Sequence, residues 1–332
     1  MATEKSVAFF VNNNMIEVTL NDSNFSHQKC LSPFFNSSKS EWKRDGIRRK
    51  INVYTDNFIK SSIIEVPKDG NYNVCVLLEP LTNPRWTDIY DYIQTDFEKF
   101  DLIISHNKQK LQYLFDTRPD KFYYSTHCIT QTWLYEHDHK LHTKSNPFKI
   151  WNHFKEIIHH PKKISMPFSH KNRSEGHRFR HLFYEKHKNH EHIDFWGGGL
   201  PVDNNYHYWG PEIFMSYKYT IVIENCLEKG FISEKFNDAL LTGCIPIYWG
   251  AEIEDTNYDM SSIFQVAPKK EIIDFNFEES FALLENMVEY IVKNDPYDSL
   301  YESVIKNYNY ALSHRQSEDN IYEVLKIRGM IK

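Results

Sequence analysis

The chain has 332 residues, of which 41% are hydrophobic and 15% aromatic, and its formal net charge at pH 7 is -6. This length exceeds one ordinary hydrophobic core, so we expect two domains, and the composition excludes an intrinsically disordered chain. The negative net charge argues against a dedicated binder of nucleic acid or of anionic membranes.

The cysteines and the N-terminal residues favour a reducing compartment. The five cysteines are odd in number and widely spaced, and no two of them form a C-x-x-C pair. This pattern suggests neither a disulfide framework nor a thiolate zinc site, so we expect reduced thiols. The apolar run at residues 7–11 is too short for a signal peptide or a membrane span. We therefore expect a cytoplasmic protein without a membrane anchor.

Short apolar segments alternate with amphipathic ones in both halves of the chain, which predicts parallel α/β sheets. In the first half we predict strands at residues 7–11, 63–66, 74–78, 102–105 and 122–125, with helices at 89–100 and 107–115. In the second half we predict strands at 164–168, 193–196, 219–223 and 245–249, helices at 177–188 and 233–242, and mostly helix from 277 onward. The weak passage at residues 135–161, with a candidate helix at 148–158, indicates a domain boundary. We place it between residues 158 and 159, and expect a ligand cleft between the carboxyl ends of the two sheets.

The segment at residues 217–250 has the pattern of a strand, a loop, a helix and a second strand. The first strand ends in Glu224 and Asn225, and Ser233 can cap a helix whose first turn holds Glu234 and Lys235. The backbone N–H groups of a helix start favour an anion. The alternative, a solvated helix start with an acidic residue placed only for the helix dipole, is about as common.

A local cluster of cations precedes this segment. Between residues 159 and 192 there are eight Lys or Arg against three Glu, and the chain contains no Asp-x-Asp pair for a divalent metal. Cations could therefore neutralise a diphosphate, and Lys171 is one candidate among them. Most of the other basic side chains read as solvated helix surface. A nucleic-acid site is the alternative, disfavoured by the overall charge.

Three further features have ordinary explanations beside functional ones. Glu79 follows the predicted strand at 74–78 and precedes Pro80, so it could act as a general base or be a surface carboxylate. The triple glycine at residues 197–199 could let backbone approach a ligand or simply form a turn. His137, His139 and His142 could bind a metal, but a solvated loop is the better interpretation, and we predict no metal site.

The run E-N, then S-E-K, then A-L-L-T-G-C-I-P-I-Y-W-G resembles the signature of the α-1,3/4-fucosyltransferases, glycosyltransferase family 10. A weaker likeness extends through residues 163–199, including Ser174-Glu-Gly-His-Arg-Phe-Arg180, and back to Leu77-Leu-Glu79-Pro80. The resemblance implies a GT-B fold, with two Rossmann-like domains facing across a cleft. Residues 1–158 would then bind the acceptor, and residues 159–332 would bind GDP-fucose.

The resemblance also implies roles for single residues. Glu234 matches the acid that binds ribose, Lys235 the lysine that binds phosphate, and Arg180 the arginine that neutralises the diphosphate. Asn225 falls on the asparagine of the family's F-E-N motif, and Glu79 falls near the proposed catalytic base. Phe231 stands where the family often has an aromatic residue with a hydroxyl, and Ile223 replaces the phenylalanine of F-E-N. The donor-site residues so predicted are Arg180, Asn225, Phe231, Glu234 and Lys235, to which we add Lys171 from the cluster of cations.

The resemblance implies an inverting glycosyltransferase that moves L-fucose from GDP-fucose to a glycan hydroxyl, with an α-1,3 linkage to a GlcNAc or Glc unit. No cofactor is required, and a stimulatory divalent metal stays open. The expected partners are the GDP-sugar and the glycan, not nucleic acid, and the oligomeric state is open. Two alternatives remain: the same fold using another GDP-sugar, and a non-catalytic relative that binds glycans.

Overall fold

The computed structural model describes most of the chain in separate stretches. These are residues 15–21, 39–56, 65–80, 87–126, 164–169, 171–197, 212–215, 217–250, 252–253, 256–266, 277–314 and 317–332.

The first half of the chain forms a parallel six-stranded sheet in the order β2-β1-β3-β4-β5-β6. Its strands are β1 (Ile16–Asn21), β2 (Ser40–Lys43), β3 (Ile51–Thr55), β4 (Tyr72–Leu77), β5 (Leu102–Ser105) and β6 (Phe122–Tyr124). Side chains alternate between the two faces: Val74 and Val76 enter one hydrophobic cluster, and Cys75 and Leu77 enter another. Both faces are covered, as expected for a parallel sheet.

The second half forms a parallel five-stranded sheet in the order β11-β10-β9-β7-β8. Its strands are β7 (Ile164–Pro167), β8 (Ile193–Trp196), β9 (Tyr219–Ile223), β10 (Ile245–Trp249) and β11 (Phe264–Gln265). Ile221 and Ile223 pack on one face and Val222 on the other, so this sheet is also buried on both sides. The two Rossmann-like sheets of the predicted GT-B architecture are thereby confirmed.

Eight α-helices occur among the described residues. They are α1 (Thr87–Asp96), α2 (Gln112–Thr117), α3 (Glu175–His187), α4 (Glu212–Met215), α5 (Glu234–Leu241), α6 (Phe277–Asn294), α7 (Tyr301–Ser313) and α8 (Ser317–Ile327). Helix α8 packs on the first sheet, where Ile321, Val324 and Leu325 join the cluster that contains Val74. Arg328 continues this contact by donating to the carbonyls of Pro119 at 2.7 Å and Phe122 at 2.6 Å. The C-terminus therefore completes the first core, while the division at residue 158 lies outside the described residues and stays a prediction.

The predicted elements of the second half agree closely with the structure, and those of the N-terminal region do not. The strand bounds 193–196, 219–223 and 245–249 are reproduced, whereas β1, β2 and β3 were not predicted. Buried polar residues make these strands hard to recognise in the sequence. Thr19 is fully buried and donates to the carbonyl of Ile47, and Asn52 is fully buried and donates to the carbonyl of Arg49. The predicted strand at 63–66 is wrong where it can be compared, since residues 65 and 66 lie outside any strand. The predicted strand at 7–11 and helix at 148–158 lie outside the described residues.

Candidate active site

Two polar residues follow β9, the central strand of the second sheet. Glu224 is fully buried, and its carboxylate accepts a hydrogen bond from the backbone N–H of Ser233 at 2.8 Å. Ser233 caps α5, with its hydroxyl oxygen accepting from the N–H of Lys235 at 3.4 Å. Burial raises the pKa of Glu224, and the positive charge of Lys235 opposes that shift. The end of β9 is thus tied directly to the start of α5.

Glu234 and Lys235 form an ion pair in the first turn of α5. The Lys235 ammonium donates to Glu234 Oε1 at 2.6 Å, and only 7% of Lys235 is exposed. A buried ammonium keeps its charge only where a partner compensates for lost water. The helix start adds the positive end of its dipole to the same place. The two predicted donor residues therefore lie together in a region suited to an anion.

Helix α3 approaches the end of β9 at backbone contact. The N–H of Gly176 donates to the carbonyl of Asn225 at 3.1 Å, and a Cβ at Gly176 would lie 1.8 Å from the carbonyl oxygen of Glu224. One turn later, Arg180 donates from Nε to the carbonyl of Ile223 at 2.8 Å and from its guanidinium to Asn225 Oδ1 at 2.7 Å. Arg180 is 2% exposed. It therefore orients Asn225 and brings a buried positive charge to the strand end.

His177 reports the positive potential around this strand end. Burial, together with the positive charges of Arg180, Lys235 and Lys171, lowers the pKa of His177 to about 3. The imidazole Nδ1 lies 2.6 Å from the hydroxyl of Ser174, the residue that caps α3. Partial desolvation lowers the pKa of Lys171, and the positive charge of Lys235 lowers it as well. The cations of this region thus act on one another, an unfavourable arrangement that a bound anion would relieve.

Glu79 extends the carboxyl end of β4 in the other sheet. Its backbone N–H donates to Asp56 Oδ2 at 2.6 Å, and its carbonyl accepts from the hydroxyl of Tyr90 at 3.1 Å. The negative charge of Glu79 acts on Lys171, raising the pKa of that ammonium against the larger effect of desolvation. The charge of Glu79, in the first sheet, thus acts on Lys171, which follows β7 of the second sheet.

A direct contact joins the two sheet edges beside Glu79. Glu228, in the loop after β9, accepts from Asn107 Nδ2 at 2.6 Å and lies 3.1 Å from His106 Nε2. His106 and Asn107 follow β5 and are both buried. The loop that leads from β9 to α5 is therefore held against the first sheet.

Phe231 lies on the same loop and packs on the first sheet. Its ring centroid is 5.5 Å from that of His106, and its side chain joins the hydrophobic cluster of the first sheet. Gly230 precedes it with φ of +82°, and a Cβ there would lie 2.7 Å from the carbonyl oxygen of His106. The structure thus gives Phe231 a packing role between the sheets, and its predicted contact with a donor stays a prediction.

Several residues of this site were not singled out in the sequence. Asp56 follows a strand that was not predicted. His106 and Asn107 directly follow the predicted strand at 102–105, but they belong to no recognisable motif. Glu228 has no local signal because its partners are more than a hundred residues away. Of these residues, only His177 had a signal in the sequence, because it lies inside the block Ser174–Arg180 that resembles the family.

The remaining candidates are less informative. Gly197 has φ of +152°, and a Cβ there would lie 1.8 Å from the carbonyl oxygen of Phe168, so close packing explains this glycine. His137, His139 and His142 lie outside the described residues. Within the stretches that are described, no three His, Cys, Asp or Glu side chains are placed to hold a metal ion. No helix in those stretches is long and apolar enough to cross a membrane.

Comparison with known proteins gives one family. The family model of glycosyltransferase family 10 (fucosyltransferase), C-terminal part, matches residues 159–324, which is half of the chain. A protein of Acanthamoeba polyphaga mimivirus named as a candidate fucosyltransferase is 31% identical over 94 residues, which make up 28% of this chain and 14% of that protein. The alpha-(1,3)-fucosyltransferase FucT of Helicobacter pylori is 30% identical over 92 residues, or 28% of this chain and 18% of that enzyme. The matched segments thus span less than a fifth of these relatives.

Among solved structures, the chain is similar to an alpha1,3-fucosyltransferase. The alignment covers 98% of this chain and 92% of that enzyme's chain, with 14% sequence identity and a TM-score of 0.49.

Proposed function

Since the chain belongs to glycosyltransferase family 10, the fucosyltransferases, we propose that it transfers L-fucose from GDP-fucose to a hydroxyl of a glycan acceptor. The transfer inverts the anomeric carbon, and the linkage is α-1,3 to a GlcNAc or Glc unit. The observation that supports this proposal best is the ion pair of Glu234 with Lys235 at the start of α5, together with the bond from buried Arg180 to Asn225 at the end of β9.

The donor side of the reaction needs positive charge. Lys235 and Lys171 contact the diphosphate, while buried Arg180 adds charge and holds Asn225. Glu234 accepts hydrogen bonds from the ribose hydroxyls. As the bond between fucose and phosphate breaks, negative charge grows on the departing GDP, and these cations stabilise it most at that moment.

The acceptor side needs a base. Glu79 takes the proton of the acceptor hydroxyl. At the same time the hydroxyl oxygen forms a bond to the anomeric carbon of fucose, and GDP leaves from the opposite face of that carbon. The carboxylate becomes a carboxylic acid, the new glycosidic bond replaces the bond to phosphate, and no covalent enzyme intermediate forms. A positioned base commonly contributes a rate factor of about 100 to 10,000.

The thiols agree with residence in a cytoplasm, which is part of this proposal. Cys75, Cys226 and Cys244 are all buried thiols outside any disulfide. Thiols that are not oxidised to disulfides are usual in reducing compartments.

The test is release of GDP from GDP-fucose in the presence of a panel of acceptor sugars. We expect release that depends on an acceptor with a free hydroxyl on GlcNAc or Glc. Calorimetry with GDP, GDP-fucose and GDP-mannose identifies the donor, because only the true donor gains affinity from its sugar. If GDP-mannose binds more tightly than GDP-fucose, mannose and not fucose is the transferred sugar. If the donor binds but no acceptor leads to release of GDP, the protein is a non-catalytic glycan binder.

A further inference from the structure

Asp56 lies directly after β3, where the pairing of β3 with β4 ends at Thr55 and Val76. It is 3% exposed, and its two carboxylate oxygens accept from the N–H of Leu78 at 2.9 and 3.0 Å. One of them also accepts from the N–H of Glu79 at 2.6 Å. The side chain therefore continues the hydrogen bonding of β4 past the end of the strand.

Tyr90 of α1 holds the same segment from the other side. Its ring is 1% exposed, and its hydroxyl donates to the carbonyl oxygen of Glu79 at 3.1 Å. Burial raises the pKa of Tyr90 well above its ordinary value, so the hydroxyl keeps its proton and remains a donor. The side chain of Ser105, at the end of β5, bonds the same hydroxyl.

The two contacts fix both peptide groups that flank the α-carbon of Glu79. Asp56 binds the N–H on one side, and Tyr90 binds the C=O on the other. Pro80 follows and restricts the backbone angles of Glu79 further. The direction in which the Glu79 side chain leaves the backbone is thus determined by three neighbours.

We infer that Asp56 and Tyr90 are positioning residues that fix the backbone of Glu79 and so direct its carboxylate to the acceptor hydroxyl. This inference rests on the proposed function, in which Glu79 is the base. A base acts only within hydrogen-bond reach of the proton that it removes, and a displacement of about 1 Å can cost about 100-fold in rate. Both residues act through Glu79.

The choice of an acid at position 56 fits this role. Burial and the charge of Glu79 raise the pKa of Asp56, the N–H donors of Glu79 and Leu78 oppose that rise, and the resulting pKa is about 8. A buried carboxyl is unfavourable unless its oxygens are bonded. An asparagine has one acceptor oxygen for the two N–H groups, so it would loosen one of them.

The experiment compares Asp56→Asn, Tyr90→Phe and Glu79→Gln with the double variant Glu79→Gln/Asp56→Asn. For each, we would measure kcat and KM for transfer, GDP affinity by calorimetry and thermal unfolding. The matched control is Tyr258→Phe, since the Tyr258 hydroxyl is buried in the second sheet's core without a hydrogen-bond partner among the described residues.

We expect kcat to fall about 100-fold in Asp56→Asn and about fivefold in Tyr90→Phe, the equivalent of one neutral hydrogen bond. GDP affinity and the KM for GDP-fucose should stay unchanged in both, as should kcat in Tyr258→Phe. Adding Asp56→Asn to Glu79→Gln should produce no further loss of kcat, because residues that act through one group are not additive.

Two results would overturn the inference while leaving the proposed function intact. In the first result, Glu79→Gln is inactive while Asp56→Asn and Tyr90→Phe both keep a normal kcat. The other is a full additional loss in the double variant, which would show that Asp56 acts independently of Glu79. If Asp56→Asn does not fold, Tyr90→Phe decides by the same split between kcat and KM. Normal transfer by Glu79→Gln would instead refute the proposed base, and the inference with it.

Discussion

The carboxyl ends of the two sheets differ in how the chain supplies their polar groups. At the second sheet, Glu224, Asn225, Glu234 and Lys235 come from one continuous segment, completed by the start of α3. At the first sheet, Asp56, Glu79 and His106 follow three different strands and meet only because those strands are neighbours. A local motif therefore describes the residues at the second sheet and not those at the first sheet. In the proposed function the two groups of residues have separate tasks, which are binding of the diphosphate at the second sheet and removal of a proton at the first.

The largest effect that we predict concerns the first sheet. Glu79→Gln should lower transfer by about 100- to 10,000-fold, because the amide cannot accept the acceptor's proton. GDP affinity should remain that of the wild type, since the donor contacts lie on the second sheet. Acceptor-dependent GDP release and calorimetry measure the two quantities. Equal losses in both would show that the two edges do not divide the work in this way.

Lys235→Ala tests the second sheet. We expect GDP binding to weaken about 10- to 100-fold, as for loss of a hydrogen bond from a charged group. Lys186→Ala is the matched control, because Lys186 is an exposed lysine of α3 that pairs with Glu285 at 2.6 Å. Unchanged GDP affinity in Lys235→Ala, or an equal loss in the control, would contradict the assignment of Lys235 to the diphosphate.

Glu228→Ala breaks the contact that joins the edges. The substitution leaves His106 and Asn107 without their carboxylate acceptor, so the free energy of unfolding should fall by about 1–3 kcal/mol. Urea unfolding measures this change. Glu289→Ala, at an exposed position of α6, should leave the midpoint nearly unchanged. Equal midpoints for the two variants would mean that Glu228 does not hold the sheets together.

The last prediction is a pH dependence of stability that comes from His177. Its pKa of about 3 lies below the ordinary value of 6.5, so below pH 6.5 the unfolded chain takes up a proton that the folded chain does not. Stability from this residue is fully present above pH 6.5 and falls as the pH drops toward 3, with a slope of at most about 1.4 kcal/mol per pH unit.

His177→Asn should remove that part of the slope, as measured by urea midpoints across the same pH window. Saturating GDP should also reduce it in the wild type, because the diphosphate offsets the cations that disfavour a protonated imidazole. A slope that is identical in the variant and insensitive to GDP would place His177 outside the influence of the site.

The strands of the second sheet were predictable because they are mostly apolar and are bounded by turn residues. Ile193–Trp196, Tyr219–Ile223 and Ile245–Trp249 have the bounds that periodicity and turn residues indicate. The strands β1 and β3 contain Thr19 and Asn52, whose burial depends on hydrogen bonds to residues that only folding brings near. Local hydrophobicity therefore could not distinguish them from loops.

The sequence by itself determined the strand, loop and helix at residues 217–250, the helix cap at Ser233 and, through its motif, the family. These properties depend on neighbours in the chain, which a sequence displays directly. Only the tertiary structure decided that α8 completes the first core, that Asp56 and Tyr90 hold Glu79, and that Glu228 reaches His106. Such contacts join residues far apart in the chain, so the order in which the parallel strands pair has to be known before they can be recognised.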